Sequence, residues 1–373
     1  MLFKEIVGQE KIKNRLIQTV RENRVSHAQL FLGPEGCGKL ALAIAYAQFI
    51  NCTNKQENDS CGVCPSCIKY QKLIHPDLHF LYPIGSNKEK PLSKNYLSEW
   101  RELLEDNDQY VSLQKWYEAI DMENKQGIIN AHDCNDVIKT LSLKAYESEY
   151  KVMIIWMVEK LFHSAAPKLL KILEEPPDKT LFILISENHD QILNTISSRA
   201  QLVKIPRITD KDLMEALVRK YQASASVAKN IIPFANGNLI DALEMTANTD
   251  EEEKQIQKFR EWMLMCHKGN AQAILPWIDE LAKTGREKIK RFISVGLQVL
   301  RYSLEINYGD PQMVKSDEEN KSFLLNFSKL LNGKNTPVMV EEFNKAMFHI
   351  ERNGNAKIIF FDLSLKIRKL INP

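Results

Sequence analysis

No run of eighteen or more apolar residues occurs in this sequence, which excludes a membrane-spanning helix. The first residues, MLFKEIVGQE, lack the cationic and apolar stretch of a secretion signal, so the expected location is the cytoplasm. Neither sign of charge is in excess. Lys and Arg total 50 against 48 Asp and Glu, so bulk charge is no reason to expect nucleic acid or a membrane as the main partner. Fixed-period repeats and low-complexity tracts are also absent, and a repeat architecture is not expected. What is present is material for a large core: 373 residues, 44% of them hydrophobic, suffice for two or three domains.

A further absence sits inside a motif. Residues Gly33-Pro34-Glu35-Gly36-Cys37-Gly38-Lys39 satisfy the glycine and lysine spacing of the phosphate-binding loop G-x-x-x-x-G-K-S/T, but Leu40 stands where a hydroxyl should hold Mg²⁺. In a working loop, backbone N–H groups at a helix N-terminus cradle phosphate oxygens and the lysine neutralises their charge. Gly33, Gly36, Gly38 and Lys39 remain as a degenerate nucleotide-binding set. Hydrolysis also needs an acidic pair at the end of a hydrophobic strand, one carboxylate for magnesium and one to polarise water. The strand expected at 151–155 runs into Trp156-Met157-Val158-Glu159, with a tryptophan and a methionine in the acidic places. Glu159 comes three residues late. The residues imply nucleotide-binding ancestry without hydrolysis, and leave open whether ATP or ADP is still held.

Strands are expected at 28–32, 78–82, 151–155, 181–186 and 201–205, with helices at 38–50, 131–144 and 163–174 between them. Such alternation with continuous apolar strands predicts an α/β P-loop module, a parallel sheet flanked by helices, over residues 1–206. The stretch from about 84 to 126 interrupts it. Eight carboxylates between 98 and 125 (Glu99, Glu102, Glu105, Asp106, Asp108, Glu118, Asp121 and Glu123) face three basic residues, which reads as a solvated surface insertion or, less simply, a partner-docking element. Beyond 207 only helical patterns follow: near 209–221, 225–234 and 238–247, then, after the acidic run 250–253, near 254–268, 271–284, 287–306, 317–331, 338–351 and 355–371. Residues 207–250 and 251–373 are therefore expected as two helical domains.

Seven cysteines are present, and four crowd into Cys52-x8-Cys61-x2-Cys64-x2-Cys67. Closely spaced C-x-x-C turns let two sulfurs meet one ion, four thiolates suit the tetrahedral preference of Zn²⁺, and a complete set leaves no open position for water. A structural zinc site is the expectation. Doubling of the C-x-x-C disfavours a redox pair.

Several residues together resemble the bacterial DNA polymerase III clamp-loader family. They are Ile6-Val7-Gly8-Gln9-Glu10, His27-Ala28 with Leu30-Phe31 before the glycine loop, the four-cysteine insertion after the loop's helix, and His75-Pro76-Asp77. Lys168-Leu169-Leu170-Lys171-Ile172-Leu173-Glu174-Glu175-Pro176-Pro177 and Ile196-Ser197-Ser198-Arg199 follow in order. The resemblance implies an AAA+ module, a small helical lid and an all-α C-terminal collar that joins gamma/tau and delta subunits into a ring loading the sliding clamp onto primed DNA. It also implies that Arg199, in Ser198-Arg199-Ala200, acts in trans on the nucleotide of a neighbouring subunit. An arginine so placed stabilises transition-state phosphate charge.

Leu40, Trp156 with Met157, and Ile240 of Gly237-Asn238-Leu239-Ile240 stand where the family's gamma/tau branch carries the hydroxyl, the acidic pair and a lid arginine. These departures point to the non-hydrolysing delta-prime branch. A divergent ATPase using Glu159 is the alternative. Arg352-Asn353-Gly354-Asn355 and the helix after it resemble the last collar helix.

Overall fold

The computed structural model describes residues 1–85, 91–122, 126–247, 249–269, 271–308 and 318–372. They form two compact units: Met1–Ala216 with Asn236–Asp241, and Leu217–Ala235 with Ala242–Pro373.

The first unit is built on five parallel strands, β1 (Ala28–Leu32), β2 (Leu78–Leu81), β3 (Lys151–Trp156), β4 (Thr180–Ser186) and β5 (Gln201–Lys204), in the spatial order β2-β3-β4-β1-β5. Every residue of β3 and β4 is buried, as continuous apolar runs in a sheet covered on both faces require. Among the described residues up to the end of β5, the α-helices are α1 (Glu10–Arg21), α2 (Lys39–Asn51), α3 (Pro65–Gln71), α4 (Leu97–Asp106), α5 (Leu113–Ala119), α6 (Ala131–Ser142), α7 (Ala166–Glu174) and α8 (Asn194–Ser197). Helix α2 is apolar all round and buried along its whole length, which is how the loop it follows becomes fixed to the sheet.

The stretch 84–126 corrects the reading of a solvated surface insertion. Its carboxylates do face outward or lie half-exposed, Glu123 alone falling outside the described residues. Helices α4 and α5, however, send aromatic side chains inward. Trp100 is fully buried, with ring centroids 4.5 Å from Tyr82, 5.1 Å from Trp116 and 5.0 Å from Trp156 of β3. The Trp116 indole N–H donates to the Pro83 carbonyl at 2.8 Å. Amphipathic helices hide this in composition: acidic residues populate the outer face while large apolar area is removed from water on the other.

His75-Pro76-Asp77 is a structural staple. The Asp77 carboxylate accepts the N–H groups of Tyr146, Glu147 and Ser148 at 2.6–2.9 Å, and the His75 ring lies 4.5 Å from Tyr70 and 3.0 Å from the Ser148 hydroxyl. These contacts fix the turn that enters β3.

After β5 the described residues form helices only: α9 (Asp210–Arg219), α10 (Ala225–Ala235), α11 (Leu239–Ala247), α12 (Thr249–Lys268), α13 (Ala271–Ala282), α14 (Arg286–Tyr308), α15 (Glu318–Ser328), α16 (Asn335–Glu351) and α17 (Ala356–Ile371). The second unit centres on Phe259, Trp262, Phe292, Phe343 and Phe360. Its Trp262 indole N–H donates to Ser364 Oγ at 2.9 Å, so the polar end of the buried ring is satisfied.

Candidate phosphate loop, metal cluster and arginine

The glycine loop follows β1 at the carboxyl edge of the parallel sheet, where α/β proteins gather ligands. Gly36 and Gly38 have positive φ, 68° and 89°, and Gly38 is the N-cap of α2. The loop is held from several sides. The Gln9 amide donates to the carbonyls of Cys37 (3.1 Å) and Pro206 (2.7 Å), and the Leu239 N–H donates to the Gly36 carbonyl at 3.2 Å. Asn238 lies so close that a Cβ on Gly36 would stand 1.6 Å from its Oδ1. That same oxygen caps α11 by accepting from Ile240 and Asp241.

Lys39 is 5% exposed, and its ammonium is already engaged: it donates to the Pro34 carbonyl at 2.5 Å and pairs with Glu187 at 3.4 Å. Burial pushes the Cys37 thiol beside it upward, against the pull of the Lys39 charge. Leu40 is buried in the core. Trp156 and Met157 are buried too, the former in the aromatic cluster and the latter at φ 57°, a left-handed conformation that turns the chain sharply after β3. Glu159 reaches the end of β4, accepting the Glu187 N–H at 2.8 Å. Burial raises its pKa although that N–H favours the charged form, and its other carboxylate oxygen is buried without a hydrogen-bond partner.

The four cysteines come together. Cys52 follows α2, Cys64 caps α3, and Pro65 occupies the first helical position, where its missing N–H is not needed. All four sulfurs lie within 4.8 Å of one another, with Cys52–Cys61 at 3.6 Å and Cys61–Cys67 at 3.9 Å. Metal–sulfur bonds of about 2.3 Å in a tetrahedron put sulfurs about 3.8 Å apart, whereas a disulfide would bring two to about 2.05 Å. Backbone N–H groups of Cys61, Cys64 and Cys67 point at the sulfurs of Cys52, Cys61 and Cys64 at 3.3–3.4 Å, an arrangement that favours thiolates. Burial pushes the Cys52 and Cys67 thiols up, whereas at Cys64 burial is outweighed by hydrogen bonds from Thr53 and Cys67, which bring that thiol down to about 6. The residues present fit a metal ion.

Arg199 stands elsewhere, in the turn between α8 and β5. Gln201 is in register with Gln29 near the start of β1, so Arg199 lies at the amino edge of the sheet while the glycine loop leaves the carboxyl edge. At about 3.3 Å per residue, the length of β1 separates them by roughly 15 Å. The guanidinium is 36% exposed and held by Glu174 of α7 (Nε–Oε1 2.6 Å, Nη2–Oε1 2.5 Å) and by the Thr195 carbonyl (2.7 Å). The motif Lys168–Pro177, through Glu174, and the motif Ile196–Arg199 thus meet in one ion pair.

Sequence reasoning missed Glu187 as the partner of Lys39, Gln9 and Asn238 as clamps on the loop, and Tyr110, whose hydroxyl accepts the Val7 N–H at 3.0 Å beside Gly38. Gln9 and Asn238 carry a signal, since both adjoin a glycine with positive φ. Tyr110 carries none.

Comparison with known proteins matches residues 8–209 to the family described as DNA polymerase III, delta subunit. The DNA polymerase III subunit delta' of Bacillus subtilis (strain 168) is 25% identical over 294 residues, covering 79% of this chain and 76% of that protein. Subunit tau of the same organism is 25% identical over 308 residues, which cover 77% of this chain and 47% of tau, less than half its length. Among solved structures, a DNA polymerase III gamma subunit-related protein from Thermotoga maritima aligns over 96% of this chain and 99% of its own, with 14% identity and a TM-score of 0.45. Because the matched residues 8–209 make up more than half of the 373, the chain belongs to the DNA polymerase III, delta subunit family of bacterial clamp-loader proteins.

Proposed function

We propose that this chain is the delta-prime-like, non-hydrolysing member of a DNA polymerase III clamp loader. In this reading an AAA+ module (1–206), a lid (207–250) and a collar (251–373) join gamma/tau and delta subunits in the cytoplasm. The assembly loads the sliding clamp onto primed DNA, and DNA contact comes through the ring. The observation that carries it is the burial of Trp156 and Met157 where an acidic pair would have to face a nucleotide. Neither side chain can ligate magnesium or polarise water. Arg199 supports the second half: it is held at the opposite edge of the sheet from its own loop, which suits a role toward a nucleotide bound by another subunit and not toward its own. Replacing Arg199 by Ala in the reconstituted complex should lower DNA-stimulated ATP turnover by about 10³-fold at the site it serves, the low end for such arginines. Unchanged turnover would sink the trans role.

A gamma/tau-like ATPase is the second reading, favoured by Glu159, which contacts the backbone of the residue that pairs with Lys39. ATP hydrolysis by the purified chain, abolished by Lys39→Ala, would establish it.

For the cysteine cluster we infer structural zinc on Cys52, Cys61, Cys64 and Cys67. The near-tetrahedral sulfur spacing supports it. Such an ion would tie the end of α2 to α3.

A further inference from the structure

We propose that Tyr110 is a built-in occupant of the glycine loop, closing it to nucleoside di- and triphosphates. A glycine in a phosphate loop leaves free the space where a Cβ would stand, so that a ligand can approach the backbone. At Gly38 that space is taken. The Tyr110 hydroxyl and ring carbons lie 3.1–3.5 Å from the position of a Gly38 Cβ. The phenol is held on its other side by the Val7 N–H at 3.0 Å, and only 3% of Tyr110 is exposed.

The insertion is shaped to deliver this side chain. Helix α4 ends in a reversal in which the Gln109 N–H donates to the Leu104 carbonyl and the Tyr110 N–H to the Asn107 carbonyl, both at 2.8 Å. Asp108 and Gln109 are left-handed in succession, with φ 49° and 63°, a costly backbone for two residues other than glycine. Tyr110 follows at once. Upstream, Trp100 anchors α4 to Trp156 of the sheet, and downstream Trp116 anchors α5, so the tyrosine is pinned from both sides. The cation of the loop is engaged as well: the Lys39 ammonium donates to the Pro34 carbonyl and pairs with Glu187.

Because Tyr110 belongs to the same chain, it competes as a tethered ligand at high effective concentration. Removing it should therefore raise nucleotide affinity even though Leu40 offers no hydroxyl to a metal. The inference rests on reading the loop as a former nucleotide site.

The experiment is calorimetric titration of the full chain with ADP, without and with Mg²⁺. Wild type and Tyr110→Phe, which keeps the ring, should give no binding heat at millimolar ADP. Tyr110→Ala should bind at least about tenfold more tightly than that limit. Adding Lys39→Ala to it should abolish the gain. Tyr110→Leu preserves apolar burial and serves if the alanine variant unfolds. Saturable ADP binding by wild type at micromolar concentration would overturn the proposal. So would a folded Tyr110→Ala or Tyr110→Leu chain that gains nothing. These outcomes are separate from the Arg199 test: ADP binding by wild type removes the plug and leaves the trans arginine standing, and an inert Arg199→Ala does the reverse.

Discussion

Of the aromatic contacts that tie the acidic insertion to the sheet, the one between Trp100 and Trp156 can be isolated by a double-mutant cycle. Trp156 fills the last position of β3, and its ring centroid lies 5.0 Å from that of Trp100 in α4 at an interplanar angle of 50°. Truncating a buried aromatic to alanine costs about 3–5 kcal/mol, a large part of the roughly 5–15 kcal/mol that holds a typical domain folded. Leucine is therefore the better probe at both positions, since it keeps bulk and removes the ring. Trp100→Leu also deletes an indole N–H that is buried without a hydrogen-bond partner, so its cost should be the smaller of the two. The coupling between the two changes should be about 0.5–1.5 kcal/mol, the value of an aromatic pair beyond its buried area. With two compact units in the chain, a single optical unfolding curve is not two-state, so hydrogen exchange read on peptides covering 97–119 is the appropriate assay. Trp156→Leu should lower protection across α4 and α5. Costs additive to within about 0.3 kcal/mol, with unchanged protection over 97–119, would refute the claim that the insertion is held through Trp156.

Chelation at neutral pH, or Cys61→Ser, should release about one zinc per chain and abolish exchange protection from 52 to 71, since four thiolates closing on one ion supply the local order; a metal-free chain with protection intact would count against the site. Glu159→Gln should stabilise the chain above about pH 4.5, with the advantage growing as pH rises and vanishing below it. Burial holds the native carboxyl pKa above its unfolded value, so wild type loses stability as pH climbs from the unfolded toward the native pKa, and urea midpoints across that range read the difference directly. Asp77→Ala should cost about 3 kcal/mol or more by leaving three N–H groups without their charged acceptor, and Asp77→Asn clearly less; equal and small costs would mean the turn at 146–148 is held by something else.

What could be read from residues alone was what is local or repetitive. The five strands stood out because a sheet covered on both faces needs uninterrupted apolar runs, and the expected boundaries agree with Ala28–Leu32, Leu78–Leu81, Lys151–Trp156, Thr180–Ser186 and Gln201–Lys204 to within one residue. The cysteine cluster was visible for the same reason: its sulfurs are brought together by turns of two to eight residues. The partner of Lys39 was not, because Glu187 is 148 positions away and no pattern announces an ion pair across two strands. Nor was the interior face of the insertion, where acidic composition hides two tryptophans sixteen positions apart. That concealed face changes the meaning of Trp156. Taken with the loop, it reads as the loss of a carboxylate. Taken with Trp100, it is the anchor of the element whose next turn carries Tyr110 to Gly38. A carboxylate restored at 156 would put a charge among aromatic rings and loosen the insertion, so Trp156→Asp should weaken the fold of the first unit before it could bring back any hydrolysis.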